Sequence, residues 1–436
     1  MPASPSLLIV PARFKTGKLY TQIATTSAGV VLGSSGDFNV TRATTATRFN
    51  SAGLIESVAS GVPRLDYYTS GGTAGCPALL VEPAATNFAP NANLINVLDT
   101  PTVSGGVTFT TGSTDFLAPD GASGSINKYV GGNASGSTQN TRYGGTSVAV
   151  SASGTYRFSL FVKAGATNPL NFCAIQFALF TGASGTATSY FSLASGTALT
   201  SGSSIENYGN GWYRCISAPY TVASGDLSGS VYFYLAEGNN DITWPASGAL
   251  NLTAYTWGAQ MEAGSIATSY IPTTTAAVTR NAEVVDLSGA VSGCIGQTEG
   301  TLYWEGDASL VSGAQDILFI NRNNTNSVVL YKGVTNLISA RVHASGAAAL
   351  TIADTVVRTG FLKIAVAYKS GDSTLYINGT RAGTLNTTAF TFTAALNTIR
   401  FGDEAFLFGR GDQRCRAVAI YSTRLTDPEL AALTTL

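Results

Sequence analysis

Chemistry in a chain is carried by few residue types, and several of them are scarce here. Of 436 residues, one is a histidine, His343. A nucleophilic triad needs one imidazole as its base, but no Gly-x-Ser-x-Gly elbow accompanies it. His343, between Arg341-Val342 and Ala344-Ser345-Gly346, reads as a surface residue beside a strand. Glycoside hydrolysis needs two carboxylates set across one bond. Glu305, Asp307, Asp316, Asp403 and Glu404 are available, and Glu305 with Asp307 would share one strand face. The rest of a catalytic motif is absent, so the expectation is that the chain is not an enzyme. Five cysteines, widely spread and without a Cys-x-x-Cys, read as buried thiols. The aromatic residues are more suggestive. Trp212, Tyr213, Tyr232, Tyr234, Tyr255 and Trp257 cluster, and exposed rings stack on the apolar C–H faces of sugars. Trp212, Tyr213, Tyr232, Tyr234 and Trp257 are therefore the glycan-binding candidates, although on alternating strands half of such rings must face a core.

Those rings need a sheet beneath them, and the sequence is full of sheet signals. In Phe361–Lys369, Leu362, Ile364, Val366 and Tyr368 alternate with Lys363, Ala365, Ala367 and Lys369. A period of two marks a strand with one buried face. Ser370-Gly371-Asp372 breaks the run, Leu375 and Ile377 resume it, and Asn378-Gly379 supplies a type I′ turn. The stretch predicts a three-stranded meander that needs a second sheet to cover it. Similar short runs, separated by Gly, Pro and Asn, fill the rest of the chain and exclude long helices. The exception is Thr426-Asp427-Pro428-Glu429, a capping box before a short C-terminal helix.

Composition narrows the class. Only 11% of residues are charged and 48 are glycine, so hydroxyls and amides must cover the surface, as in many extracellular and virion β-proteins. Net charge is −1, without the basic block of a nucleic-acid binder. No apolar run approaches the roughly 20 residues of a membrane span. Leu7 to Val10 is too short for a secretory signal, which points to folding in the cytosol. The length implies several domains. Boundaries are expected near 1–92, 93–276 and 277–436. The first segment has too little apolar sequence for its own core and should lean on its neighbours. The Ser/Thr/Gly-rich stretch Thr102 to Gly145 is a long loop or a series of very short strands, and 277–288 is a linker with one short strand.

Certain words in these segments resemble a known family. Thr41-Arg42-Ala43-Thr44, Arg48, Gly53-Leu54-Ile55-Glu56, Val62-Pro63-Arg64-Leu65-Asp66-Tyr67, Leu80-Val81-Glu82-Pro83 and Thr86-Asn87 resemble a module found towards the N-terminus of tail- and head-fibre proteins of tailed bacteriophages. Asn207-Tyr208-Gly209-Asn210-Gly211-Trp212-Tyr213-Arg214, Trp257-Gly258-Ala259-Gln260-Met261-Glu262 and Thr268-Ser269-Tyr270-Ile271-Pro272 resemble the carbohydrate-binding-module-like jelly rolls of phage fibres. Lys363 to Gly379, Ile399-Arg400-Phe401-Gly402 and Ala417-Val418-Ala419-Ile420-Tyr421 resemble the concanavalin A-like, laminin-G-like sandwich. The resemblance implies an all-β virion protein: an N-terminal attachment module followed by two β-sandwiches, a jelly roll and then a concanavalin A-like domain. It implies assembly in the host cytoplasm, partners among other virion proteins, a homotrimer, and a host-surface glycan or receptor. Arg42, Arg48, Pro63, Arg64, Asp66 and Glu82 would be the virion-attachment candidates. Calcium is the one cofactor it suggests, with Asp403, Glu404 and Asp412 as loop ligands and no spaced signature to support them. The rival readings are a capsid decoration or head–tail connector without a receptor, and a polysaccharide depolymerase.

Overall fold

The computed structural model describes residues 4–11, 13–25, 29–32, 37–90, 107–132, 139–242, 251–288, 293–307, 314–321, 325–402 and 412–436. The meander forms as its alternation requires. Phe361–Lys369, Ser373–Ile377 and Thr380–Asn386 pair antiparallel. Asn378 and Gly379 take φ of 49° and 82°, the left-handed pair that a type I′ turn demands. Leu362, Ile364, Val366 and Tyr368 enter the core, while Ala365 and Ala367 lie under the helix Asp427–Thr434 with Leu425 and Leu430. That helix starts at Thr426, whose amide donates to Glu429 Oε2 at 2.8 Å. The two small alanines let the helix sit close to the sheet.

The meander is one side of a larger sheet. Its order runs Thr380–Asn386, Ser373–Ile377, Phe361–Lys369, Glu299–Asp307, Gln413–Tyr421, Leu7–Ile9, Gln22–Thr25 and Gly29–Leu32. Ala78–Val81 pairs with Gln413–Tyr421 further along, Leu80 opposite Arg414, and Leu65–Asp66 pairs with Ala78–Val81. The facing sheet runs Phe14–Lys15, Lys18–Leu19, Phe38–Thr41, Val284–Ser288, Thr398–Phe401, Gln315–Ile320, Ser327–Lys332, Ile338–Ala344 and Ala347–Ala353. Residues expected to form a separate N-terminal module thus supply strands to both sheets of the closing sandwich. Leu7, Ile9, Leu19, Phe38, Val40, Leu79 and Val81 share one core with Trp304, Tyr368 and Phe401. Too poor in apolar sequence for a core of its own, the segment joins another by strand addition.

The middle sandwich has two antiparallel sheets. One is Thr108–Ser113, Ile126–Val130, Thr253–Ala263, Thr155–Ala164, Trp212–Ile216 and Ser204–Asn207. The other is Gln139–Ala149, Ser228–Ala236, Phe172–Ala178, Ala187–Ser192 and Thr197–Ala198. The stretch Thr102 to Gly145 therefore contributes ordinary strands, Gln139–Ala149 being eleven residues long. Cys173, Ile175 and Phe177 face Phe158, Leu160, Val162 and Cys215 in the core between the sheets. The thiols of Cys173 and Cys215 lie 3.9 Å apart there. Four cysteines are buried as expected; Cys76 is exposed. No helix among the described residues is long and apolar enough to cross a membrane.

Candidate functional site

The arginines and carboxylates of the N-terminal words meet inside the molecule. Arg42 follows strand Phe38–Thr41, and its guanidinium donates to Glu283 Oε1 at 2.9 Å and to the Ala59 and Val58 carbonyls at 2.6 and 3.2 Å. Arg64 precedes strand Leu65–Asp66. It donates to Thr47 O, to Ser269 Oγ and to Glu283 Oε2, and lies 2.7 Å from Glu82 Oε2. Arg280 approaches Glu82 at 3.3 Å and Glu283 at 3.5 Å. Ser269 closes the ring, its amide and hydroxyl both donating to Glu82 at 2.6 Å. The five charged side chains are at most 1% exposed. Burial pushes the Glu82 carboxyl up, but Arg280, Arg64 and the Ser269 hydrogen bonds outweigh it and hold it well below the usual carboxylate range. Burial likewise lowers Arg64, and Glu283 and Glu82 outweigh that too and raise it.

This arrangement gives the attachment candidates a different place from the one expected. Arg42, Pro63, Arg64, Asp66 and Glu82 are buried, and only Arg48, paired with Glu56, is partly exposed. A buried charge needs opposite charges and hydrogen bonds to offset its desolvation. Here they come from residues 42–82, from Ser269 at the exit of the middle sandwich, and from Arg280 and Glu283 in the expected linker. The words form a joint between three parts of the chain, and no outer docking surface is built from those side chains. Arg280 and Glu283 were missed because their partners lie some two hundred positions away. Nothing in the local sequence of 277–288 marked them.

The aromatic candidates separate by sheet. Trp257 and Trp212 are 1% and 2% exposed. They lie on the outer face of the first middle sheet, where hairpin Ala46–Phe49/Ile55–Val58 and the loop around Phe116 cover them. Trp212 Nε1 donates to Leu117 O at 3.0 Å. A ring chain continues into the joint: Trp257 against Phe161 at 5.3 Å, Phe161 against Tyr208 at 4.8 Å, and Tyr208 against Tyr68 at 5.0 Å. Tyr255 is buried in the same cluster. Tyr213 packs, partly buried, against the sandwich core. Trp212, Trp257 and Tyr213 are therefore structural side chains and not an open platform.

Tyr232 and Tyr234 are different. They point away from the core on the other sheet, opposite in phase to Val231, Phe233 and Leu235. The register sets three rows across that face: Ala236–Phe172–Ser192, Tyr234–Ala174–Tyr190 and Tyr232–Gln176–Thr188. Tyr190 and Tyr234 pack closely over Ala174, and Phe172, Tyr232, Gln176 and Thr188 form a half-buried rim. Tyr234 Oη donates to Gln176 Oε1 at 3.0 Å, and Gln176 Nε2 donates to Thr188 Oγ1 at 2.8 Å. The Tyr232 and Tyr234 rings are tilted by 34° with centroids 5.9 Å apart. Phe172, Gln176, Thr188 and Tyr190 were not singled out from sequence. The signal was present, since they take the positions between the inward Cys173, Ile175, Phe177 and Phe191.

The remaining candidates do not converge. His343 is 7% exposed, inside strand Ile338–Ala344, so the surface reading is corrected; burial and then Arg341 hold its imidazole below the ordinary value. Tyr303 Oη donates to Glu305 at 2.6 Å, Asp316 is fully buried, and Asp307 lines a groove between the sandwiches. Of the calcium candidates, Asp403 and Glu404 lie outside the described residues, and Asp412 is buried at the joint. Among the described residues no cluster of three metal-ligating side chains occurs.

Beside the joint lies a polar cavity of about 220 Å³, bounded by Asp66, Glu82, Glu206, Asp412 and the guanidinia of Arg48, Arg157, Arg214 and Arg414. Asp66 accepts from Phe49 N at 2.8 Å and from Arg414 Nε at 2.7 Å. Glu82 is held by Arg64, Arg280 and Ser269. Asp412 behaves in the opposite way: burial, and then the nearby Glu82, raise it well above the ordinary value of 3.8 despite Arg414. The folded chain thus keeps a proton on Asp412 that the unfolded chain releases above pH 3.8, and this site loses stability as pH rises. Asp412→Asn cannot ionise. Its melting temperature is expected to exceed that of the unaltered chain at pH 7, with the difference shrinking as pH falls towards 3.8; a lower melting temperature at pH 7 would contradict the assignment.

No family model matches the chain, and no curated protein matches it. Solved structures similar to parts of it include the carbohydrate-binding module CBM40 of the Ruminococcus gnavus IT-sialidase, 22% identical over 32% of this chain and 84% of that chain, with a TM-score of 0.27. Domain 4 of a GH43 extracellular arabinanase from Geobacillus stearothermophilus, in complex with arabinotriose, is 12% identical over 35% and 73%, with a TM-score of 0.29. The receptor-binding domain of a botulinum neurotoxin mosaic serotype C/D is 13% identical over 34% and 39%, with a TM-score of 0.28. Each likeness spans about a third of a chain whose fold, established above, is a pair of antiparallel β-sandwiches.

Proposed function

We propose that this chain is a non-enzymatic attachment protein, a fibre or fibre-like appendage of a tailed-bacteriophage virion, that holds host-surface glycans on the outer tyrosine face of its middle sandwich. The observation that supports the glycan reading is the three-by-three grid around Ala174. It combines half-buried rings with an amide and a hydroxyl whose orientations are fixed by Tyr234–Gln176–Thr188 hydrogen bonds. Rings offer faces to sugar C–H groups, and oriented polar groups select hydroxyls. A shallow platform of this kind binds weakly, and several copies on one particle would add avidity. The virion role rests on the N-terminal words and their resemblance to phage fibre modules. With those side chains committed to the joint, docking to other virion proteins would use the backbone edges and outer face of the segment, and the trimer belongs to the same reading.

Purified chain applied to immobilised bacterial surface polysaccharides tests the glycan reading. Binding to at least one polysaccharide is expected, and Tyr232→Ala should weaken it at least tenfold, about 1.4 kcal/mol. Tyr232 is only partly buried, so the fold should survive the change. Undiminished binding by the variant, or shortening of the polysaccharide during incubation, would count against this function.

A further inference from the structure

The cavity beside the joint holds polar atoms that nothing in the protein satisfies. Asp412 Oδ1, Glu206 Oε2 and Arg157 Nε have no hydrogen-bond partner, and all three residues line it. Asp412 is only 4% exposed, so its orphaned oxygen is a buried one, costly to leave unmatched. Outside the cavity lies a second space, a groove of about 420 Å³ between the two sandwiches. Glu206 and Arg414 line both. Tyr68 and Phe361 offer rings along the groove, Thr69 and Ser70 offer hydroxyls, and Arg414 and Arg416 lie over those rings at 5.0 and 4.3 Å.

We propose that groove and cavity together form a second binding site, taking the end of a neutral saccharide chain, with the terminal sugar in the cavity and the next along the groove. The orphaned set contains carboxyl oxygens and an N–H. A hydroxyl group both donates and accepts, so a polyhydroxylated ring answers all three atoms, whatever the protonation of Asp412. Three of the four guanidinia around the cavity already face a carboxylate within the protein: Arg48 with Glu56, Arg414 with Asp66, and Arg214 3.8 Å from Glu206. An acidic ligand would find only Arg157 without a carboxylate partner, beside the carboxylates of Asp66, Glu82 and Glu206, which favours a neutral sugar over an acidic one. Glu206, with a side chain 20% exposed, is the group that meets the ligand from both spaces. The site shares only its ligand class with the tyrosine face and lies on other residues.

Cys76 lines the groove and is the exposed one of five cysteines, so a bulky maleimide added to the folded chain should block the groove alone. Ligand-observed NMR with glucose, galactose, mannose, N-acetylglucosamine and their disaccharides would read binding. Disaccharide binding in the millimolar range is expected, weakened at least tenfold by the Cys76 label and unchanged by Tyr232→Ala. Glu206→Leu should weaken it to a similar degree at a temperature where the variant is folded, since Glu206 also faces the buried Arg214. Loss on Tyr232→Ala with no effect of the label would place sugar binding on the tyrosine face and overturn this site. So would a cavity that holds ordered water only, with no sugar of the panel bound.

Discussion

Arg64→Ala is expected to destabilise the chain by about 3–5 kcal/mol, read as a lowered midpoint of denaturant unfolding. Arg64 is fully buried and touches two carboxylates, a hydroxyl and a carbonyl that belong to three parts of the chain. Its loss would leave Glu82 and Glu283 facing each other with Arg42 and Arg280 alone to offset them. Acid should loosen the same joint. Glu82 is held below its ordinary value of 4.5, so its contribution is present above that pH and is lost as pH falls through its folded value. Arg64→Ala should flatten that part of the pH profile. A change below about 1 kcal/mol, the range of an exposed pair, would show that the joint carries little.

Trp257→Ala should cost a similar amount, about 3–5 kcal/mol, because a fully buried indole leaves a cavity its neighbours cannot fill. Phe161 and Tyr270 touch the ring at 5.3 and 4.5 Å, and Ile55 of the N-terminal hairpin belongs to the same cluster. The loss should appear in thermal unfolding, with polysaccharide binding retained at temperatures where the variant is folded. If Trp257 were instead a glycan platform, as its cluster of aromatic neighbours suggests from sequence, stability would hold and binding would fall.

Those two residues show where the sequence is legible. Local rules are readable: the alternation of Leu362 to Tyr368, the positive-φ pair Asn378-Gly379 and the Thr426–Glu429 cap each depend on neighbours a few positions away. Which face of a strand meets solvent is not local. The first middle sheet is covered on both sides, inwardly by the second sheet and outwardly by a hairpin from residues 46–58, so alternation alone cannot expose Trp212 or Trp257. On the second sheet the same period of two does turn Tyr232 and Tyr234 away from the core, Tyr232 half-buried and Tyr234 buried beside it. The charged words were legible as a set but not as a joint, since Arg42 and Glu283 stand 241 positions apart. Too little apolar sequence in the first segment did foretell its dependence on neighbours. That the dependence would take the form of strands entering both sheets of the closing sandwich needed the register of Leu8 opposite Ala419 in one sheet and Val40 opposite Val285 in the other.

Amide hydrogen exchange of Ala78–Val81, followed alongside Gln413–Tyr421, tests most directly whether the N-terminal segment is built into the sandwich. The two strands pair and share a core, so their slowest amides should exchange together, at the free energy of global unfolding, and Arg64→Ala should accelerate both in parallel. Fast exchange in Ala78–Val81 beside a protected Gln413–Tyr421 would mean the segment only rests on the surface, and the account of the joint would fail.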